Sequence, residues 1–69
     1  MGILKEDEVI KNIIKKLTQR TNSILTETLI FEAGEFGIGE QQVYEALGRL
    51  KEENYIIQPM PITIEIVSR

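Results

Sequence analysis

The chain of 69 residues contains no cysteine and no histidine. Without cysteine it can form neither a disulfide framework nor a thiolate metal site, and without histidine it lacks the usual zinc ligand and the commonest general base. No apolar run approaches the roughly 20 residues of a membrane helix, and the first five residues show no secretory pattern. We therefore expect one small domain over residues 1–69 that is held together by apolar packing and binds no metal or cofactor. Its expected location is the cytoplasm or, in a eukaryote, the nucleus.

Basic residues are missing from the middle of the chain. The net charge is −3, yet residues 21–48 alone carry five acids and no base, while residues 1–20 have a balance of +2 and residues 49–69 are neutral. Proteins that rely on phosphate attraction normally show a basic stripe, because release of counterions from the duplex supplies much of their affinity. The distribution therefore predicts weak DNA binding at most.

The first helix is predicted from about residue 5 to residue 19, because apolar residues recur there on one face. They are Val9, Ile10, Ile13, Ile14 and Leu17. Acids at 6–8 and bases near the other end match the helix dipole. We therefore favour the interpretation that Lys11, Lys15 and Lys16 form a solvated surface. The alternative interpretation is that they bind phosphate.

A second helix is predicted from about residue 27 to residue 36, after a brief strand at residues 24–25. Thr26 is the expected N-cap, and Gly37 lies where a left-handed C′ residue is wanted. The predicted buried stripe is Leu29, Ile30, Ala33 and Phe36. Phe31 lies off that stripe, so it either covers an edge of the core or is an exposed anchor for a partner protein.

A third helix is predicted from about residue 40 to residue 53, with Ile38 packing the turn before it and Gly39 as its N-cap. The expected buried stripe is Val43, Ala46, Leu47 and Leu50. The remaining positions should then face outward, namely Gln41, Gln42, Glu45, Arg49 and Glu52.

The outward face of this third helix carries some of the chemistry that DNA recognition needs. Gln41 and Gln42 occupy N-terminal positions from which glutamine can pair with adenine, and Arg49 could hold a phosphate or a guanine. Glu45 would repel nearby phosphates, and Tyr44 could either pack or stack. The candidate surface for DNA or a partner thus comprises Gln41, Gln42, Tyr44, Glu45 and Arg49, with Lys11, Lys15 and Lys16 from the first helix.

The C-terminal third changes to a period of two, which predicts an antiparallel hairpin over about residues 55–67. Ile62, Ile64 and Ile66 should face the helices while the alternate residues face water. Pro59 and Pro61 should lie in the turn, where they break no ladder, with Met60 projecting between them. The turn contains no lysine or arginine, which a strand hairpin gripping DNA usually presents.

The predicted order of helix, short strand, helix, turn, helix and hairpin is that of a winged helix-turn-helix, an α+β fold with three helices packed on a small antiparallel wing. The chain resembles the C-terminal winged-helix domain of archaeal minichromosome-maintenance replicative helicases. The matching segments are Glu32-Ala33 with Gly37-Ile38 at the turn, Leu47 with Leu50-Lys51 in the third helix, and Tyr55-Ile56 with Pro59 and Pro61 in the wing. Two departures are Asn54, where that family usually has glycine, and Ile62-Thr63, where it has Gly-Tyr.

The resemblance implies a non-catalytic accessory module of an ATPase ring, which modulates the helicase or contacts its partners and binds DNA weakly. One alternative is a small archaeal-type transcription regulator, which would bind duplex DNA as a two-fold dimer. Another is a winged helix that binds only proteins. With no obvious spare helix for dimerisation, we expect a monomer whose partners are replication or transcription proteins or duplex DNA, with no membrane contact.

An enzyme is the weakest hypothesis. The three glycines at positions 34, 37 and 39 follow a predicted helix rather than a strand, so they do not fit a dinucleotide-binding loop. The sequence has no phosphate loop ending in Lys-Ser or Lys-Thr, and its carboxylates show no metal-binding spacing. We therefore expect no catalytic residue in this chain.

Overall fold

The computed structural model describes residues 5–67, so both ends of the predicted domain, residues 1–4 and 68–69, lie outside the described residues. Three helices and three strands make an α+β fold, as the sequence predicts. The elements are α1 (Lys5–Leu17), β1 (Ser23–Leu25), α2 (Thr26–Gly34), α3 (Glu40–Glu52), β2 (Ile56–Met60) and β3 (Thr63–Ile66). The strands form one antiparallel sheet in the order β1-β3-β2. Within residues 5–67, no helix is long and apolar enough to cross a bilayer.

The core lies between the three helices and one face of the sheet. From α1 it takes Ile10, Ile13 and Ile14, with Val9 and Leu17 packed at its margin, as the helical spacing predicts. The helix ends two residues earlier than expected: the Thr18 amide still donates to the Ile14 carbonyl at 2.9 Å, but the Gln19 amide donates to Lys16 at 3.4 Å, a tighter i→i−3 bond that closes the last turn. The other core residues are Ile24, Leu29, Ala33, Ile38, Val43, Ala46, Leu47, Leu50, Ile56 and Ile64.

Helix α2 begins one residue before the predicted start, and the prediction that Thr26 is its N-cap is wrong. Leu25 occupies the cap position without a side-chain hydrogen bond. Thr26 is instead the first helical residue and is buried. Its amide donates to the Ile62 carbonyl at 2.8 Å and its hydroxyl to the Pro61 carbonyl at 3.1 Å. The polar groups that could have capped the helix locally therefore bond the hairpin turn.

The turn after α2 overturns the prediction that Phe36 belongs to the buried stripe. The helix ends at Gly34, and Phe36 is 61% exposed. Gly37 has a φ of 82° and donates to Gly34, while Ile38 donates to Ala33, so the segment closes as a Schellman motif with Gly37 at the predicted left-handed position. Ile38 is buried, as predicted. Phe31 is 69% exposed, which rules out its role as an edge of the core.

Helix α3 lies within one residue of its predicted bounds. Gly39 is its N-cap, as predicted, and the Gly39 amide donates to Oε1 of Gln42 at 2.8 Å. The predicted buried stripe is buried throughout. The helix ends in a second Schellman motif, in which Asn54 has a φ of 64° and donates to Lys51, while Tyr55 donates to Leu50.

Asn54 therefore performs the backbone task that glycine usually performs. Replacing Asn54 by alanine should lower the free energy of unfolding by about 1 kcal/mol, because a left-handed residue with a Cβ and no compensating side chain is strained. Asn54→Gly should be at least as stable as the wild type. Urea denaturation compares the two variants, with Asn22→Ala as the control at an exposed asparagine of ordinary φ. Equal stability of Asn54→Ala and Asn54→Gly would contradict this account.

The predicted hairpin is present as β2 and β3, with two corrections. Pro59 and Met60 lie in β2 rather than in the turn. The proline is tolerated there because β2 is an edge strand and its register shifts between Ile57 and Met60. Ile62 lies in the turn and is 61% exposed, so it does not face the helices as predicted. Ile64 is fully buried and Ile66 partly, in agreement with the alternation.

Candidate interaction surface

The charged contact between α1 and α3 changes the interpretation of Arg49. Asp7 is only 3% exposed. Nε of Arg49 donates to Oδ2 of Asp7 at 2.9 Å, and Nη2 donates to Oδ1 at 2.9 Å, which makes a bidentate ion pair. Hydrogen bonding to Asp7 raises the pKa of Arg49, with smaller Coulombic help from Asp7 and Glu45, against some desolvation. The guanidinium does not project freely outward as predicted, because its Nε and Nη2 groups donate to a buried carboxylate.

The sequence contained a signal for this pair that was missed. Asp7, Ile10 and Ile14 share one helical face, so Asp7 falls on the buried stripe. A lone carboxylate at a core position requires a cationic or hydrogen-bonding partner. Arg49 borders the buried stripe of α3 and provides it.

The remaining predicted residues of α3 divide into bound and free side chains. Oε1 of Gln42 accepts a hydrogen bond from the Gly39 amide, and Nε2 of Gln42 donates one to the Glu6 carboxylate at 2.9 Å. Both the oxygen and the nitrogen of its side-chain amide are therefore engaged. Gln41 and Glu45 are exposed, as predicted. These two side chains present an uncharged amide and a carboxylate to the solvent.

Two of the three predicted basic residues of α1 are paired with acids. Lys11 lies 3.2 Å from Glu53 and stands over the ring of Tyr55 at 5.0 Å, while Lys16 lies 3.6 Å from Glu32. Lys15 is exposed. Two of the three lysines are thus offset by nearby acids, which weakens the attraction that this face can exert on phosphate.

A groove of about 340 Å³ lies between the start of α2, α3 and the hairpin turn. We call it the α3–hairpin groove; it is lined by Leu25, Thr26, Glu27, Tyr44, Pro61 and Ile62. Tyr44 and Leu25 are each 50% exposed, so Tyr44 lines an open apolar surface rather than entering the core. The only charged group in the lining is Glu27, and no base lines the groove.

The walls of the α3–hairpin groove are fixed by hydrogen bonds to the hairpin turn. The Pro61 carbonyl accepts from the Thr26 hydroxyl and, at 3.0 Å, from Nε2 of Gln58. Oε1 of Gln58 in turn accepts from Lys51 of α3 at 2.9 Å. Together with the bond from the Thr26 amide to Ile62, these contacts tie the turn to both helices, so the groove exists before any ligand binds.

Within residues 5–67, no group of three or more potential metal ligands comes together. No buried side-chain nitrogen or oxygen in that range lacks a hydrogen-bond partner. In the described residues, the buried polar side chains are thus hydrogen-bonded within the protein, and the α3–hairpin groove is an exposed apolar surface with one carboxylate, that of Glu27. No protein-family model matches the chain, and comparisons with curated proteins and with solved structures find no significant match.

Proposed function

We propose that this chain is a winged helix-turn-helix module that acts without catalysis of its own as an accessory part of DNA replication machinery. In this proposal it contacts partner proteins through the α3–hairpin groove and binds duplex DNA only weakly. The element order, the turn between α2 and α3, and the hairpin after α3 support the winged-helix assignment. The replication context comes from the resemblance to the helicase domain.

The observation that carries the proposal is the chemistry of the face that would approach DNA. Arg49 is paired with Asp7, and the exposed side chains near the start of α3 are two acids, two amides and a tyrosine, namely Glu40, Gln41, Gln42, Tyr44 and Glu45. Beside them the groove offers apolar side chains and the carboxylate of Glu27. Such a surface gains from desolvating apolar contacts and repels phosphates, which favours a protein partner.

Titration of a fluorescent duplex with the protein at increasing salt tests the DNA part of the proposal. At physiological salt we expect a dissociation constant weaker than about 1 µM, which is the range of non-specific binding. The logarithm of the affinity should fall with the logarithm of salt at a slope below about 2, because few phosphates can be neutralised. Nanomolar affinity at physiological salt would overturn the proposal in favour of a DNA-binding regulator.

Two variants locate whatever weak binding is observed. Gln41→Ala should reduce it if α3 contacts the duplex, whereas Lys15→Ala should reduce it if the exposed lysine of α1 does. The replication context has its own test in the coding sequence that precedes this segment. An ATPase module encoded there would support the helicase accessory role, whereas a subunit of the transcription machinery encoded there would contradict it.

A further inference from the structure

The face of the sheet that points away from the helices carries a second apolar surface. Strand register defines it: Leu25 and Met60 both lie opposite Thr63, and Ser23 and Ile57 both lie opposite Glu65. Their neighbours Ile24, Ile56 and Ile64 are buried against the helices, so these two rows point to the other side. We call this surface the outer sheet face, with members Ser23, Leu25, Ile57, Met60, Thr63 and Glu65.

Three of these six side chains are large, apolar and about half exposed. Leu25 is 50%, Ile57 47% and Met60 53% exposed. Facing side chains in adjacent rows of a sheet lie within contact distance, so they form a patch around Thr63 rather than isolated apolar residues. Glu65 is the single charged residue in the three strands, which contain no lysine or arginine.

The sheet is poorly suited to accept an additional strand. At one edge, β2 contains Pro59 and a register shift, both of which interrupt the row of donors that an added strand needs. At the other edge, β1 has only three residues. A partner therefore gains more by covering the flat face than by extending the sheet.

The dimensions of the outer sheet face match those of an α-helix. Three strands about 4.8 Å apart span roughly 10 Å between the outer strands, which is the diameter of a helix with its side chains. Helices α1, α2 and α3 already use the opposite face, so a helix here would bury the second side of the sheet.

We propose that the outer sheet face binds an amphipathic helix of a partner protein, whose apolar side chains cover Leu25, Ile57 and Met60 and whose lysine or arginine reaches Glu65. The charge argument selects this occupant over a second copy of the chain. A second copy would bring another Glu65, and no base, against the same face, which places like charges together. The inference rests on the proposed function only in taking the domain to be a protein-binding one. The outer sheet face adjoins the α3–hairpin groove at Leu25, which belongs to both, but it does not include Tyr44 or Ile62.

Backbone amide NMR of the labelled protein, titrated with two designed peptides, tests the proposal. The peptides have about 15 residues, close to the shortest length for a stable isolated helix. They share one leucine stripe and differ only in carrying lysine or glutamate at the polar positions. We expect the leucine–lysine peptide to shift the signals of Ile57, Met60 and Glu65 and to bind about tenfold more tightly, since it gains an ion pair where the other meets a like charge.

Five variants separate binding at this face from general attraction to an acidic protein. Glu65→Lys should reverse the peptide preference and Glu65→Gln should abolish it, whereas Glu35→Lys, with the same charge change on a remote turn, should leave the preference in place. Ile57→Ser should weaken both peptides, and Phe31→Ser should weaken neither. Because Glu65→Gln introduces no new charge, it also guards against a folding defect in Glu65→Lys.

Three results would overturn the inference. Peptide-induced shifts could cluster at Phe31, at Phe36 or at Tyr44 and Ile62 of the α3–hairpin groove. Glu65→Lys could behave like Glu35→Lys. Finally, the signals of the face could shift with protein concentration in the absence of peptide, which would identify a second copy. Failure of the proposed function has a different readout, because nanomolar duplex binding would overturn that function without moving the peptide preference.

Discussion

Replacing Arg49 by methionine should lower the thermal midpoint of unfolding by roughly 10 °C, because the carboxylate of Asp7 would remain buried without its cationic partner. Asp7 is 3% exposed and receives its side-chain donors from this guanidinium. The expected loss is smaller than for a fully enclosed pair, since about a third of the Arg49 side chain is open to water. Calorimetry or circular dichroism measures the midpoint.

A matched control and a double variant distinguish loss of the pair from loss of a surface charge. Lys15→Met removes one exposed positive charge from α1 and should change the midpoint little. Combining Arg49→Met with Asp7→Leu should recover much of the stability, because it removes the buried charge itself. A single Arg49→Met variant as stable as Lys15→Met would show that the pair contributes nothing.

The pH dependence of this contribution follows from the raised pKa of Arg49. A cationic group whose pKa is raised by folding stabilises the protein fully below its ordinary pKa, and that stability is lost only as the pH rises through the raised value. Arg49 stays protonated in both the folded and the unfolded chain between about pH 6 and pH 10. Its titration should therefore not change the stability difference between the wild type and Arg49→Met over that range.

Converting three exposed acids to lysine should raise the affinity for duplex DNA by about 100-fold at physiological salt. The variant is Glu27→Lys, Glu40→Lys and Glu45→Lys, at the first turns of α2 and α3 and on the outward face of α3. If α3 and the start of α2 approach the duplex as in a winged helix, each lysine can neutralise a phosphate. Each such contact contributes roughly fivefold at this salt through counterion release.

The matched control places the same charge change elsewhere. Glu8→Lys, Glu35→Lys and Glu52→Lys alter exposed acids on α1, the turn after α2 and the end of α3. Long-range attraction should then raise the affinity by only about threefold, because screening limits it to a Debye length. Equal gains for the two triple variants would contradict the orientation of α3 toward DNA, and circular dichroism verifies that both remain folded.

Local patterns in the sequence were sufficient to predict most of the fold. The apolar spacing placed α1 and α3 within two residues of their ends, and the period-two pattern predicted the hairpin, because both signals reflect burial of one face of a regular element. The pattern failed at Phe36, where helical spacing continues beyond the last helical residue. There the chain turns away in the Schellman motif at Gly37, so Phe36 is exposed instead of buried. The spacing of apolar residues does not show where such a turn starts.

The candidate surface was less predictable because it depends on contacts between distant residues. Asp7 and Arg49 are 42 positions apart, so each could be assigned a role only within its own helix. Leu25, Tyr44 and Ile62 come from three elements and meet only after the hairpin turn bonds to α2. The exposed positions of α3 were predicted correctly at Gln41 and Glu45, since these depend on one helix alone.

The hydrogen bonds from Thr26 and Gln58 to the hairpin turn limit how the domain can respond to a ligand. The two bonds from Thr26 join the turn to α2, and the bond from Lys51 to Gln58 of β2 joins the hairpin to α3, so the hairpin cannot pivot as a unit without breaking contacts to both helices. Any adjustment of shape on binding must therefore come from the partner, and the domain offers it a template of fixed spacing. A force applied to the hairpin would be transmitted directly to the first turn of α2.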